Sequence, residues 1–329
     1  MAAPQKSTTR TMCTGLCLLF LVVGSGLALN GCAKHQEPLL RVASNVWPGY
    51  ETLYLARSLG VYDDQNIRLV EMPSNSQVSQ ALRNGMIEAA CLTLDEALSL
   101  MQDGMDLRVV LVMDVSHGAD VVMTRPGIDT LQALRGKRIG VENAAVGAVM
   151  LDAALAAGEL RAQDVTIVPL TVDEHADAYL AGKIDAAVTF EPVRGQLLKA
   201  GAKVLFDSSQ VPGRIVDVLA VRSEIAAAHP QALKVLLKGH FRALEHLASQ
   251  PQDAAKRMEP RLNGDALAQF TGLSLPDLKE NRALLTGNPP PVKSTATELA
   301  DLMRNRKLLQ KKVSVEHLAD PSFLPEGDK

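Results

Sequence analysis

Aromatic residues make up only 3% of the 329-residue chain, with a single Trp, four Tyr and six Phe. A cluster of them in one short turn therefore stands out. Cysteine is scarcer still, with four in all, and Cys13 and Cys17 fall within an apolar N-terminal stretch that also leads up to Cys32. Only Cys91 lies further on, so a disulfide framework is excluded and stability has to come from packing. Charge of one sign is missing too. Lys and Arg number 34 against 37 Asp and Glu, a net charge of −3, which gives no field for holding a nucleic acid or an anionic bilayer. No apolar run reaches the roughly 20 residues that a membrane-crossing helix needs. There is no G-x-x-x-x-G-K-[ST], H-E-x-x-H or G-x-S-x-G, which removes the sequence grounds for a P-loop ATPase, a zincin or an α/β-hydrolase. His240 and His246 are six apart and do not share a helix face as metal ligands. Glu174, His175 and Asp177 read as the solvated start of a helix. No metal or cofactor is expected, and no catalysis.

What is present begins with an address. Lys6 and Arg10 precede an uncharged stretch from Gly15 to Leu29, the layout of a signal peptide over 1–31. Its end, Leu29-Asn30-Gly31-Cys32, resembles a bacterial lipobox, in which the cysteine sulfur receives a diacylglycerol. That resemblance implies a lipid on Cys32, a tether over 32–38, and residence at the periplasmic face of a bacterial membrane. Ala33 after the cysteine, rather than Asp, implies the outer membrane of a Gram-negative cell. One lipid holds a protein at a surface without spanning it.

From Leu39 onward, short β-branched runs alternate with helical periodicity, which predicts βα units around a largely parallel sheet. A first series has strands at Leu40–Val46, Ile67–Glu71, Ala89–Thr93 and Leu107–Asp114, with helices at Tyr50–Leu59, Ser76–Arg83 and Asp95–Gln102. After Arg125-Pro126-Gly127 a second series has strands at Arg138–Val141, Val165–Leu170, Ala186–Phe190 and Lys203–Phe206. Its helices are Val146–Ala157, Asp173–Ala181 and Pro192–Lys199. Ile215–Arg222 reads as a returning strand, followed by helices at Pro230–Ser249, Pro251–Arg257, near Gly264–Phe270, and at Thr295–Leu309, with Pro289-Pro290-Pro291 as a stiff connector. The fold class is therefore α/β, in two doubly wound lobes joined by a two-segment hinge: 39–124 with 215–329, and 125–214. Ala119–Thr124 and Ile215–Arg222 are the expected crossings, and a cleft between such lobes closes on a ligand.

Several segments together resemble the substrate-binding proteins of bacterial ABC importers, of the nitrate, sulfonate and taurine type that also includes thiamine-pyrimidine-precursor binders. They are Val46-Trp47-Pro48-Gly49-Tyr50-Glu51, Leu131 to Val141, Gly182-Lys183-Ile184-Asp185-Ala186-Ala187, and Asp217 to Arg222 with His229-Pro230. The resemblance implies a type II periplasmic binding protein, a small-molecule ligand, permease and ATPase partners, and a monomer. A membrane sensor in place of the permease is the alternative output. An enzyme like the fungal thiamine-pyrimidine synthases is the alternative of another class, but their PLP lysine, histidine and cysteine-rich motif have no counterparts here.

Ligands of open parallel sheets bind beyond the carboxyl ends of the strands. That rule selects Trp47 and Tyr50 as an aromatic wall, Asn75 beside the helix cap Ser74, and Asp95 at a helix start. It also selects Ser116 in the polar turn Asp114 to Gly118, Ala145 at an open helix N-terminus and Glu191 before Pro192. Asp217 is added because an ionised group within the returning strand is unusual unless it lines the cleft or is paired. Three of these eight are carboxylates. A buried anion beside unpaired carboxylates is costly, so the expected ligand is an amine-bearing or ring-nitrogen compound rather than an oxyanion.

Overall fold

The computed structural model describes residues 1–3, 37–142, 145–262 and 264–326. The chain divides into Met1–Glu37 and Pro38–Lys329, and the second of these carries the fold. The leader, Cys32 and most of the tether lie outside the described residues. No helix among those described is long and apolar enough to cross a membrane.

Two mixed sheets organise the folded unit. The first runs β11-β4-β10-β3-β1-β2, built from β1 (Leu40–Ser44), β2 (Ile67–Glu71), β3 (Ala89–Thr93), β4 (Leu107–Ser116), β10 (Val216–Arg222) and β11 (Leu273–Ser274). The second runs β7-β6-β8-β5-β9, built from β5 (Val121–Thr124), β6 (Arg138–Val141), β7 (Thr166–Pro169), β8 (Ala186–Thr189) and β9 (Lys203–Asp207). β1 is parallel to both its neighbours, whereas β10 is antiparallel to β3 and β4. In the second sheet β5 plays that antiparallel part, between β8 and β9.

The helices form where local chemistry starts them. Ser74 caps α2 (Asn75–Arg83) by accepting from the Gln77 amide at 3.3 Å. Thr93 opens α3 (Leu94–Gln102) in a capping box, with the Glu96 carboxylate returning to the Thr93 amide at 3.0 Å. Asp95, expected from the sequence at the helix start, caps nothing. The first turn after β1 leads through Pro48–Tyr50 into α1 (Glu51–Ser58), and β6 is followed by α4 (Ala145–Ala157). β7 is followed by α5 (His175–Leu180), and β8 by α6 (Val193–Lys199). After β10 come α7 (Ser223–Ala228), α8 (Pro230–Ser249), α9 (Pro251–Leu262), α10 (Leu278–Leu285) and α11 (Pro291–Asn305). α8 buries Leu233, Leu236, Leu237, His240 and Phe241 along one stripe and packs on α1.

Four expectations need correction. Val121–Thr124 pairs within the second sheet and Val216–Arg222 within the first, so neither strand is itself the crossing. The crossings are the short segments 117–120 and 208–215, where the two Ser hydroxyls of Ser116 and Ser208 meet at 2.7 Å and Ser208 donates its amide to Asp120 O at 2.9 Å. The boundary of the second lobe therefore falls ahead of Val121 rather than after Thr124. The stiff connector Pro289–Pro291 is partly helix: Pro290 stands at the N-cap position of α11 and Pro291 is its first residue, four ahead of the expected Thr295, where a missing N–H does no harm. The region near Gly264–Phe270 holds only a short 3-10 turn at Ala268–Phe270, while α9 continues to Leu262. Finally, His175 is buried rather than solvated, and burial pushes its pKa down to about 4.

Candidate functional site

The polar row that defines the site comes from strand register. Asp217 is the second residue of β10, and because β10 is antiparallel, it lies level with Thr93 at the end of β3 and with Asp114 near the end of β4. A carboxyl that looks isolated in the sequence thus stands at the ligand edge of the sheet, beside a second carboxyl. Tyr50 donates its hydroxyl to Asp217, and Trp47 donates Nε1 to Asp114 Oδ2 at 3.0 Å. Both rings reach these acids because Gly49 lets the turn pass close. A Cβ on Gly49 would lie 1.7 Å from Asp114 Oδ2 and 2.8 Å from Trp47 Nε1. Gly49→Ala should therefore cost about 1–3 kcal/mol through overpacking, and the emission of the sole Trp should shift as its bond to Asp114 breaks; an unchanged melt and spectrum would show that the turn relaxes freely.

Around this row lies a cavity of about 10 Å³, lined by Asn45, Trp47, Tyr50, Asn75, Thr93, Asp120, Val146, Phe190 and Asp217. It holds no more than one water. Residues of the two lobes meet across it: the rings of Trp47 and Phe190 are 5.2 Å apart, edge to face. Glu142, just past β6, reaches across to accept the Ser76 amide in the first turn of α2 at 2.8 Å and also accepts the Val172 amide at 3.3 Å. Arg306, at the end of α11, pairs with Asp152 of α4 at 3.2 Å. Val149 of α4 is buried in the helical core of the first lobe. The cleft is closed.

Its electrostatics are one-sided. Asp95, Glu96, Asp114, Asp120 and Asp217 are all buried, at 4% exposure or less. One oxygen each of Asp120 and Asp217 accepts no donor of the chain, and the Asp114 carboxyl lies against that of Asp217. Among the described residues, no Lys or Arg lines the cavity. Burial raises every one of these acids. It moves Asp95 and Asp114 to about 7, Asp120 to about 6 and Glu96 to about 8. Asp217 rises well above the usual range, through burial first and then the charge of Asp114. Buried Cys91 behind the row is likewise pushed up, out of thiolate range.

Of the residues selected from the sequence, Trp47, Tyr50, Asn75 and Asp217 line the cavity. Asn75 also donates Nδ2 to Glu96 Oε1 at 3.0 Å. Asp95 is buried nearby in α3, its pKa raised in part by Asp120. Ser116 belongs instead to the crossing, where it holds Ser208 and accepts the Asp120 amide at 3.2 Å. Glu191 lies away from the cavity, accepting the Gly195 amide at 3.0 Å and facing a different depression with Lys199 and Asp265. Asn143 and Ala144 lie outside the described residues, as does the side chain of Ala145. Gly147 is small for packing, since a Cβ there would meet Glu142 O at 2.8 Å. Asn45, Thr93, Asp120, Val146 and Phe190, which also line the cavity, and Glu142, which bridges the lobes, were not selected from the sequence. For Asp120 the available signal was its place directly before an apolar strand, at the point of crossing.

A family model described as the NMT1-like family matches residues 33–260. The chain belongs to the NMT1-like family. This NMT1-like chain is 24% identical over 335 residues to a candidate aliphatic sulfonates-binding protein of Bacillus subtilis (strain 168), covering 94% of both. It is 27% identical over 219 residues to the taurine-binding periplasmic protein of Escherichia coli (strain K12), covering 65% of this chain and 67% of that one. Its fold matches the alkanesulfonate-binding protein SsuA of Xanthomonas axonopodis pv. citri bound to MOPS, with TM-score 0.72 at 21% identity over 87% of this chain and 98% of that one. The same fold also serves an enzyme, the desulfurization enzyme DSZB, at TM-score 0.63 and 19% identity over 87% and 97% of the two chains. The NMT1-like fold thus has the two lobes of the importer binding proteins that the sequence resembles.

Proposed function

We propose that this chain binds a small amine-bearing or ring-nitrogen solute in the cleft between its lobes and delivers it to an ABC permease and its ATPase. The observation that carries the ligand class is that two buried acids, Asp120 and Asp217, line the cavity, with Asp95, Glu96 and Asp114 buried in the same lobe and no Lys or Arg in the lining. A cation entering there meets the carboxyls of Asp120 and Asp217, each with one oxygen that accepts no donor of the chain. Trp47 and Phe190 supply aromatic surface of the kind that holds cations. An oxyanion in the same place has to approach several carboxyls at once, which is costly unless all are protonated.

A sulfonate is the second reading, favoured by what the relatives are named for. An anion needs a cluster of donors, and the first turn of α2 is one such place in the cleft. Its Ser76 amide is already taken by Glu142. An enzymatic role has weaker support: the cavity offers no Lys, Cys or His side chain as nucleophile or base. Cys32 as lipid attachment site, the periplasmic face of a membrane as location, and a monomeric state complete the proposal.

A thermal-shift panel at pH 8 tests it, because a ligand of the native state raises stability by mass action. Small amines and ring-nitrogen bases should raise the melting temperature, while nitrate and amine-free alkanesulfonates leave it in place. The reverse pattern removes the cation reading and leaves solute binding standing.

A further inference from the structure

The cavity at Asp217 is too small for more than a compact head group, and a second, much larger void lies on the other side of Phe190, along the seam of the lobes. That groove has a volume of about 420 Å³. Val46, Met72 and Pro73, from the ends of β1 and β2, form one wall, and Val172, Phe190 and Val193 form the other. Phe190 borders both the cavity and the groove, so its ring is the partition between a carboxyl-lined end and an apolar one. Polar groups in the groove are Glu71, which Arg261 holds, with Asp173 and Gln196. Among the described residues it too has no Lys or Arg.

We infer that this groove is a second subsite, which takes an uncharged apolar or aromatic extension of the ligand whose cationic head sits at Asp217. The inference rests on the amine reading and sharpens it: the solute is a two-part molecule, such as an alkylamine or arylalkylamine, rather than a bare ammonium ion. The shared border at Phe190 and the difference in size of the two voids support it. The groove falls in the usual range for small-ligand pockets of roughly 300–1,000 Å³, while the cavity has space for about one water. Closure of the lobes brings both walls against the extension, removing its surface from water and favouring the closed state only when the tail is long enough to touch both.

Titration calorimetry of the purified chain with primary alkylammonium ions, from methyl to octyl, tests this. Kd should fall roughly threefold to fourfold for each added methylene, the worth of burying one CH₂, and then level off when the groove is full. Gln196→Trp, at an exposed position on α6, should flatten that series while changing the methylammonium Kd less than about twofold; Met72→Trp, on the opposite wall, serves as an independent second blocker, with folding of each checked by circular dichroism. A Kd independent of chain length, or a series that keeps its slope in both Trp variants, overturns the subsite and leaves the amine reading intact. No binding by any member of the series overturns both.

Discussion

Asp217→Asn should weaken binding of an amine ligand by a hundredfold or more and, at the same time, make the empty protein more stable at pH 8. The two effects have one cause. Asp217 is buried at 2% exposure, accepts from the Tyr50 hydroxyl with one oxygen, and has its carboxyl against that of Asp114. Holding a carboxyl there with no cation opposes folding, and its pKa rises as a result. The amide keeps the shape and can still accept from Tyr50, but needs no proton and carries no charge. Removing one partner of a desolvated charge pair with a ligand typically costs about 2–5 kcal/mol, hence the loss of affinity. Stability gained where function is lost is the expected trade at a binding site. Denaturant melts and calorimetry on the same preparation check both. A variant that binds as tightly as the parent makes Asp217 a structural residue.

The second large effect is on pH. An acid whose pKa is raised in the folded state binds more protons there than in the unfolded chain, so its contribution to stability is present at low pH and is lost as pH rises. Unfolded carboxyls titrate near 4, whereas Asp120 sits at about 6, Asp95 and Asp114 at about 7 and Glu96 at about 8. The empty protein should therefore lose stability steadily from pH 4 to pH 8. One carboxyl moved from 3.8 to about 7 corresponds to on the order of 4 kcal/mol across that window. Groups such as Asp185, held down at about 2 by Arg138, act oppositely but only in more acidic solution, below about pH 4. A cationic ligand reverses the slope by favouring the ionised acids. Its affinity should rise about tenfold per pH unit for each proton released, between pH 6 and pH 8. Calorimetry in two buffers of different ionisation enthalpy counts those protons. A flat affinity profile, with no proton release, would mean that the ligand does not meet the acid cluster.

Strands with apolar runs bounded by turns were legible to the residue, as at Ile67–Glu71, Ala89–Thr93 and Arg138–Val141. α10 was not. Its buried face includes Asn281, a polar residue that breaks the apolar period because it works as a backbone substitute: it accepts the Val112 amide at 2.8 Å and donates to Val112 O at 3.1 Å. The site divided in the same way. Trp47 and Tyr50 follow from the rule that ligands sit beyond the carboxyl ends of strands, and Asp217 from being an acid within an otherwise apolar strand. Glu142 also directly follows a strand, β6, but its partner, the Ser76 amide, belongs to the opposite lobe, and a contact made only across the cleft leaves no local signal. The placement of Asp217 beside Asp114 required the antiparallel direction of β10, which local pattern does not encode.

That same strand sets an order of assembly. β10 lies between β3 and β4, pairing with both, although more than 90 residues of chain separate it from either. The whole second sheet, from Val121 to Asp207, is contained in that interval. As the chain is made, the second lobe has all its strands before the first has its middle one, and until Val216–Arg222 arrives the first sheet is two halves with unpaired edges. Long-range pairing of this kind slows folding and leaves such edges open to wrong partners. A chain cut after Ile215 would keep the second sheet complete and lose not only Asp217 but also the strand that joins the two halves of the first.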